Sequence, residues 1–133
     1  MLGISGTTSS SDFLREIELK IDNYSAAVTN NITVKSTALA AAAAPSSAKL
    51  VARTKNVDAI TLNTDLVFAV SRDSGTTFTN ASMTDRFTVN SIHVLEAAAI
   101  DLSGQPSGTA IKWKATTANN KMVELHDVYL SWS

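Results

Sequence analysis

Between Ile60 and Phe78 the chain reads Ile-Thr-Leu-Asn-Thr-Asp-Leu-Val-Phe-Ala-Val-Ser-Arg-Asp-Ser-Gly-Thr-Thr-Phe. Leu66, Phe68 and Val70 share one face of an extended chain, and Val67, Ala69 and Ser71 share the other. Both faces are largely apolar, which predicts a central strand covered on two sides. A turn follows. Asp73 is placed to accept hydrogen bonds from N–H groups just downstream, and Gly75 offers a φ > 0 position. Thr76, Thr77 and Phe78 restart an extended segment, so Ser71, Asp73, Gly75 and Phe78 are read as a structural turn.

The same period of two recurs on either side. Ile17, Leu19 and Ile21 alternate with Glu16, Glu18 and Lys20, predicting a half-buried strand over 15–21 whose charges keep an exposed strand soluble. Asp22-Asn23 favours a turn, and 26–34 continues extended, with Val28, Ile32 and Val34 as core candidates. The segment 37–44 differs. Five consecutive alanines, Ala40 to Ala44, stop at Pro45. It is too short for a stable isolated helix and is either a helical turn packed on a sheet or an alanine-rich loop.

A short strand is expected over 49–53, and 79–84 closes the hairpin return. Residues 85–89 read as short and irregular, and 91–99 as strand or helix. Gly104, Pro106 and Gly108 mark a loop of several turns. Ile111, Trp113 and Ala115 alternate with Lys112 and Lys114, giving a strand with a basic outer face. Asn119-Asn120 signals a hairpin turn. In the last strand, 122–132, the apolar positions change parity between Leu125 and Val128, which predicts a bulge near His126-Asp127.

These elements predict an all-β fold: an antiparallel, jelly-roll-like β-sandwich with at most one short Ala-rich helical turn. Residues 1–12, small and rich in serine and threonine, read as a polar N-terminal arm, and 13–133 as one sandwich domain. A chain of 133 residues with 44% hydrophobic residues buries a core without staples. The net charge of −1 gives no electrostatic case for nucleic acid or an anionic membrane. The absence of cysteine removes disulfides, thiol catalysis and cysteine-ligated metals. No apolar run reaches the ~20 residues of a membrane-spanning helix. The first residues have neither the basic region nor the apolar core of a signal peptide.

Two motifs carry a resemblance. Ser71-x-Asp73-x-Gly75-x-x-Phe78 matches the Asp-box, which in the families that carry it is a hairpin turn and not a catalytic site. Sialidases carry several boxes on a propeller of roughly 4–8 blades, far more than one box and 133 residues provide. Ser71-Arg-Asp-Ser-Gly-Thr-Thr-Phe78, then Asp101-Leu-Ser-Gly-Gln-Pro-Ser-Gly108, Ile111-Lys-Trp-Lys114 and the terminal Leu130-Ser-Trp132 together resemble a recurrent module in virion structural proteins of tailed bacteriophages, notably marine ones. The usual form is Ser-Arg-Asp-Gly-Gly-Thr-Thr-Trp/Phe, then Asp-Ile-Ser-Gly-Gln-Pro-Ser-Gly-Thr, then a C-terminal Leu-x-Trp. The resemblance covers roughly residues 60–133. The chain departs from it with Ser74 for glycine and Phe78 for tryptophan, both mild changes for a hairpin turn.

The resemblance implies a β-sandwich module on the virion, found on fibres, tail components and capsid decorations, with no catalytic residues to carry over. The expectation is a non-enzymatic capsid decoration or cement protein on the virion, favoured on the head surface. It would bridge major capsid protein subunits or other virion proteins as a homo-oligomer, a trimer favoured, without cofactor, nucleic acid or membrane. The alternative is a tail or tail-fibre component that binds host glycan through loops such as 104–109. The candidate partner-contact residues are Met1, Leu2, Ile4 and Trp132.

Other chemistry has less to stand on. His93 and His126 lie in separate strands, and a metal needs at least three convergent ligands. Asp58, Asp65, Asp73 and Asp85 lack EF-hand spacing. Glu16, Glu18, Glu96 and Glu124 mostly alternate with apolar residues, which places them on outer sheet faces and not as a glycosidase pair. No nucleophile elbow or phosphate loop is present. Trp113 and Trp132 are expected as core or subunit-contact anchors before sugar platforms.

Overall fold

A computed structural model of the chain describes the backbone of Gly3–Gly6 and Leu14–Lys20 and, with side chains, residues 31–133. The strands in chain order are β1 (Gly3–Gly6), β2 (Leu14–Lys20), β3 (Thr33–Lys35), β4 (Leu39–Ala40), β5 (Ser47–Asn56), β6 (Leu66–Ser71), β7 (Thr79–Ala81), β8 (Thr84–Val89), β9 (Ile92–Asp101), β10 (Ala110–Thr117) and β11 (Val123–Trp132). They form two antiparallel sheets. The six-stranded sheet runs β1-β2-β11-β5-β9-β8; the five-stranded one runs β3-β10-β6-β7, with β4 also on β10. The fold is the all-β sandwich expected from the period-two patterning.

The core lies between the sheets. β10 contributes Ile111, Trp113 and Ala115, and β6 contributes Leu66, Phe68 and Val70. β5 contributes Ala48, Leu50, Ala52 and Thr54, and β11 contributes Leu125, Val128, Leu130 and Trp132. The parity change in β11 is a register shift against β5 between Leu125 and Asp127, so the extra residue is His126. The bulge keeps Leu125 and Val128 on the inner face despite their odd spacing.

Several expectations change, and two open alternatives are resolved. The alanine run is not helical. Leu39–Ala40 pairs with β10, Ala41 N–H donates to the Thr109 carbonyl at 2.8 Å, and Pro45 O accepts from Arg72. Tertiary bonds thus claim the backbone groups that a marginal helical turn would need. The strand expected over 49–53 is the ten-residue β5, flanked by β11 and β9. Residues 84–89 form a strand whose register against β9 shifts between Asp85 and Phe87, and every residue of it is exposed, Phe87 and Val89 included. Residues 92–101 are strand and not helix. Asn119 and Asn120 do adopt positive φ (56° and 53°), yet they join β10 to β11 across the two sheets and not within a hairpin.

At the amino end, β1 pairs with β2 (Ile4 opposite Leu19), so part of the expected arm adds a strand to the sheet edge. The unpaired backbone row of an edge strand offers that pairing to any extended segment, apolar or not. Met1, Leu2, the turn expected at Asp22-Asn23 and the core position expected at Val28 lie outside the described residues.

Candidate functional site

The turn after β6 is built from short polar side chains. The Ser71 hydroxyl donates to Asp73 Oδ1 at 2.6 Å and accepts from the Gly75 and Asp73 amides at 2.9 and 3.2 Å. Asp73 Oδ1 also accepts from the Thr77 amide at 2.8 Å. The Ser71 hydroxyl, first, and the Thr77 amide hold the Asp73 carboxyl down at about 2. Gly75 has φ 84°, and Ser74, where the resembled pattern has glycine, has φ 62°. Ser74 therefore carries a left-handed strain of roughly 1–2 kcal/mol that glycine would avoid.

The second motif docks on the first. Gln105 is buried; its amide nitrogen donates to the Val70 carbonyl and the Thr79 hydroxyl at 2.8 and 2.9 Å. Its amide oxygen accepts from the Arg72 N–H at 2.8 Å. The Arg72 guanidinium, with the residue only 9% exposed, donates to the carbonyls of Pro45 (2.7 Å), Pro106 (3.1 Å), Ser103 (3.2 Å) and Gln105. Gly108 completes the fit: a Cβ there would lie 2.3 Å from the Arg72 carbonyl oxygen and 3.0 Å from Asp73 Cα. Leu102 is fully buried, and Asp101 caps the loop by accepting from the Ser103 hydroxyl and amide at 2.6 and 2.8 Å. The Ser103 hydroxyl, first, and its amide lower the Asp101 carboxyl below its ordinary value.

Sequence reasoning singled out both motifs but not their mutual contact. Arg72 and Gln105 are 33 positions apart. The signal available was that both sit inside the two motifs carrying the resemblance. The interlock binds three connections: the turn after β6, the loop after β9 and the approach to β5 at Pro45. Chemically it is a clamp, its polar groups turned toward one another.

The remaining candidates are dispersed. His93 Nδ1 lies 2.6 Å from Asp85 Oδ2 and 3.0 Å from the Thr88 hydroxyl, while His126 Nε2 lies 3.2 Å from Glu124 Oε2. Asp65 accepts from the Thr61 amide (2.7 Å) and Asn119 Nδ2 (2.6 Å), bonds that lower its carboxyl, Asn119 contributing most. Asp58 accepts from the Met122 amide at 2.8 Å. Glu96 pairs with Lys49 and Arg86. Among the described residues, no three His, Cys, Asp or Glu side chains converge to hold a metal ion. The side chains of Ile4, Glu16 and Glu18 lie outside what is described.

Trp113 is fully buried in the core, and Trp132 is buried at the end of β11. Trp132 also lines, with Ser47, Lys49, Ala98 and Ser133, a shallow depression of about 340 Å³. An apolar cavity of about 40 Å³ sits between the sheets near Val34, Thr54, Ala115 and Leu125. No helix among the described residues is long and apolar enough to cross a membrane. Comparison of the chain with protein-family models, with curated proteins and with solved structures finds no match.

Proposed function

We propose that this chain is a structural subunit of a tailed-phage particle, acting on the head as a decoration or cement protein. The observation that carries the reading is the interlock. The segments resembling the virion module, Ser71–Phe78 and Asp101–Gly108, are joined by the hydrogen bonds of Arg72 and Gln105 and the close approach at Gly108. A module whose most distinctive polar residues are spent on internal architecture suits a mechanical role better than a catalytic one.

The mechanism is clamping. A compact sandwich at a junction between capsid subunits, present in many copies as a symmetric oligomer such as a trimer, gains avidity without any single strong contact. The alternative is a tail or fibre adhesin that reads host glycan with the 104–109 loop. In that loop Gln105 is turned inward and the Pro106 carbonyl is taken by Arg72, which leaves fewer groups for a sugar.

Sedimentation of the purified chain with phage heads that lack it is the test. Saturable binding at a fixed ratio to the major capsid protein is expected. Binding to tails or to host glycan without binding to heads would favour the adhesin, and binding to no particle component would remove the proposal.

A further inference from the structure

The outer face of the five-stranded sheet carries a charge pattern that no described carboxylate balances. Lys112 and Lys114 lie two apart on the outward side of β10, opposite Ser71 and Ala69. Lys35 on β3 is directly opposite Lys114. Directly opposed side chains in an antiparallel pair sit about 5 Å apart at Cβ, and like charges there are destabilising. The Phe78 ring lies beneath both, with the Lys114 ammonium 4.3 Å and the Lys35 ammonium 5.9 Å from its centroid. The Lys112 stem packs toward Gly75 of the turn.

No described carboxylate pairs with any of these three lysines; the described ion pairs of Lys and Arg are Lys49–Glu96, Arg53–Asp127 and Arg86–Glu96, all on the other sheet. The outward neighbours in register are Thr33, Thr116, Val67 and Asn80, all neutral. The face therefore concentrates three positive charges in a chain of net charge −1; among the described residues, Lys35 and Lys114 share the Phe78 ring and none of the three meets a carboxylate.

We infer that this face docks a carboxylate-bearing protein surface, which supplies anions that no described residue gives Lys35, Lys112 and Lys114. Complementary charge at such a patch sets partner choice and encounter rate more than raw affinity. A nucleic acid fits less well. It needs a track of cations neutralising successive phosphates, and here the cations end at Thr116 and Thr33. The Phe78 ring also already faces an ammonium and is not free to stack on a base. Nothing in this patch depends on where the protein works.

The test is binding of the full chain to poly-L-glutamate, followed by calorimetry or surface plasmon resonance across a salt series. The patch variant is Lys35→Gln/Lys112→Gln/Lys114→Gln; the control is Lys49→Gln/Lys55→Gln/Lys121→Gln, with the same net charge. Each exposed pair is worth up to about fivefold in affinity, so the patch variant should bind about tenfold more weakly, with the control near wild type. Wild-type binding should fall as salt rises.

Melting of the patch variant should stay close to wild type, because the like-charge opposition and the contact with the Phe78 ring are lost together. Absence of wild-type binding, or equal loss in patch variant and control, would overturn the assignment. Tighter, patch-dependent binding to oligothymidylate than to polyglutamate would also overturn it, in favour of nucleic acid.

Discussion

Arg72→Met decides whether the interlock holds the fold. The guanidinium donates to four carbonyls and touches no carboxylate in doing so. Two effects of opposite sign compete. Burying a cation costs several kcal/mol, and replacing buried ionic groups with apolar ones of similar size is often neutral or stabilising. Against that, the variant leaves its acceptors behind. The Ser103 and Pro106 carbonyls belong to part-buried bonds and can turn to water. Those of Pro45 and Gln105 belong to buried bonds and cannot without opening the loop.

An unsatisfied buried acceptor costs about 1–3 kcal/mol, so two cost about 2–6 kcal/mol, and the acceptor side wins. For a chain of 133 residues, 1 kcal/mol shifts the melting temperature by about 4 °C, so a loss near 3 kcal/mol lowers it by roughly 10 °C. Chemical denaturation supplies the free energy, and thermal unfolding by circular dichroism supplies the shift. Arg72→Lys, which keeps the charge but spans fewer carbonyls, should fall between the two. An Arg72→Met protein within about 1 kcal/mol of wild type, or more stable, would refute the reasoning and leave the motif contact without energetic weight.

Other outcomes follow from the same geometry. Gly108→Ala should destabilise by about 1–3 kcal/mol because the new methyl meets backbone, while Gly104→Ala, with nothing within 4 Å, should be near neutral in the same denaturation assay. Ser74→Gly should stabilise by up to about 1 kcal/mol through relief of the left-handed conformation, read as a raised denaturation midpoint. Asp73 has a folded value of about 2 against an ordinary 3.8, so its contribution is full above about pH 4 and is lost as pH falls toward 2. Asp73→Asn should be less stable at neutral pH and show a flatter acid limb in melting curves taken across that range. Deleting residues 1–12 should leave the sandwich folded by circular dichroism but weaken sedimentation with heads; full occupancy by the truncated chain would contradict the role of this segment.

The legible parts of the sequence were those where one face is apolar and the spacing is regular. The alternation of Ile111, Trp113 and Ala115 with lysines gave β10, and the odd spacing from Leu125 to Val128 gave the bulge in β11. β5 was underread because its inward positions include Ala48, Ala52 and Thr54, residues too small or too polar to register as a hydrophobic period. β8 was underread because it is a short, fully exposed edge strand with a register shift, and Phe87 and Val89 give it only two alternating apolar positions. Its hairpin to β9 turns at Asn90-Ser91, both at positive φ. The alanine run is open in the sequence between helical turn and loop, and the structure takes the loop: propensity is local, and the bonds to Thr109 and Arg72 that settle the segment are not. At the candidate site, the turn chemistry was readable from Ser71, Asp73 and Gly75, which act within a few residues. The burial of Arg72 and Gln105 was not, because each is satisfied by groups some thirty positions away.

The proposed structural role on a phage head is tested by where the chain sits on the particle. The most direct measurement is antibody labelling of this chain on intact particles viewed by electron microscopy. Label spread over the head is the predicted result; label confined to tail tip or fibres, or absent from the particle, would contradict it.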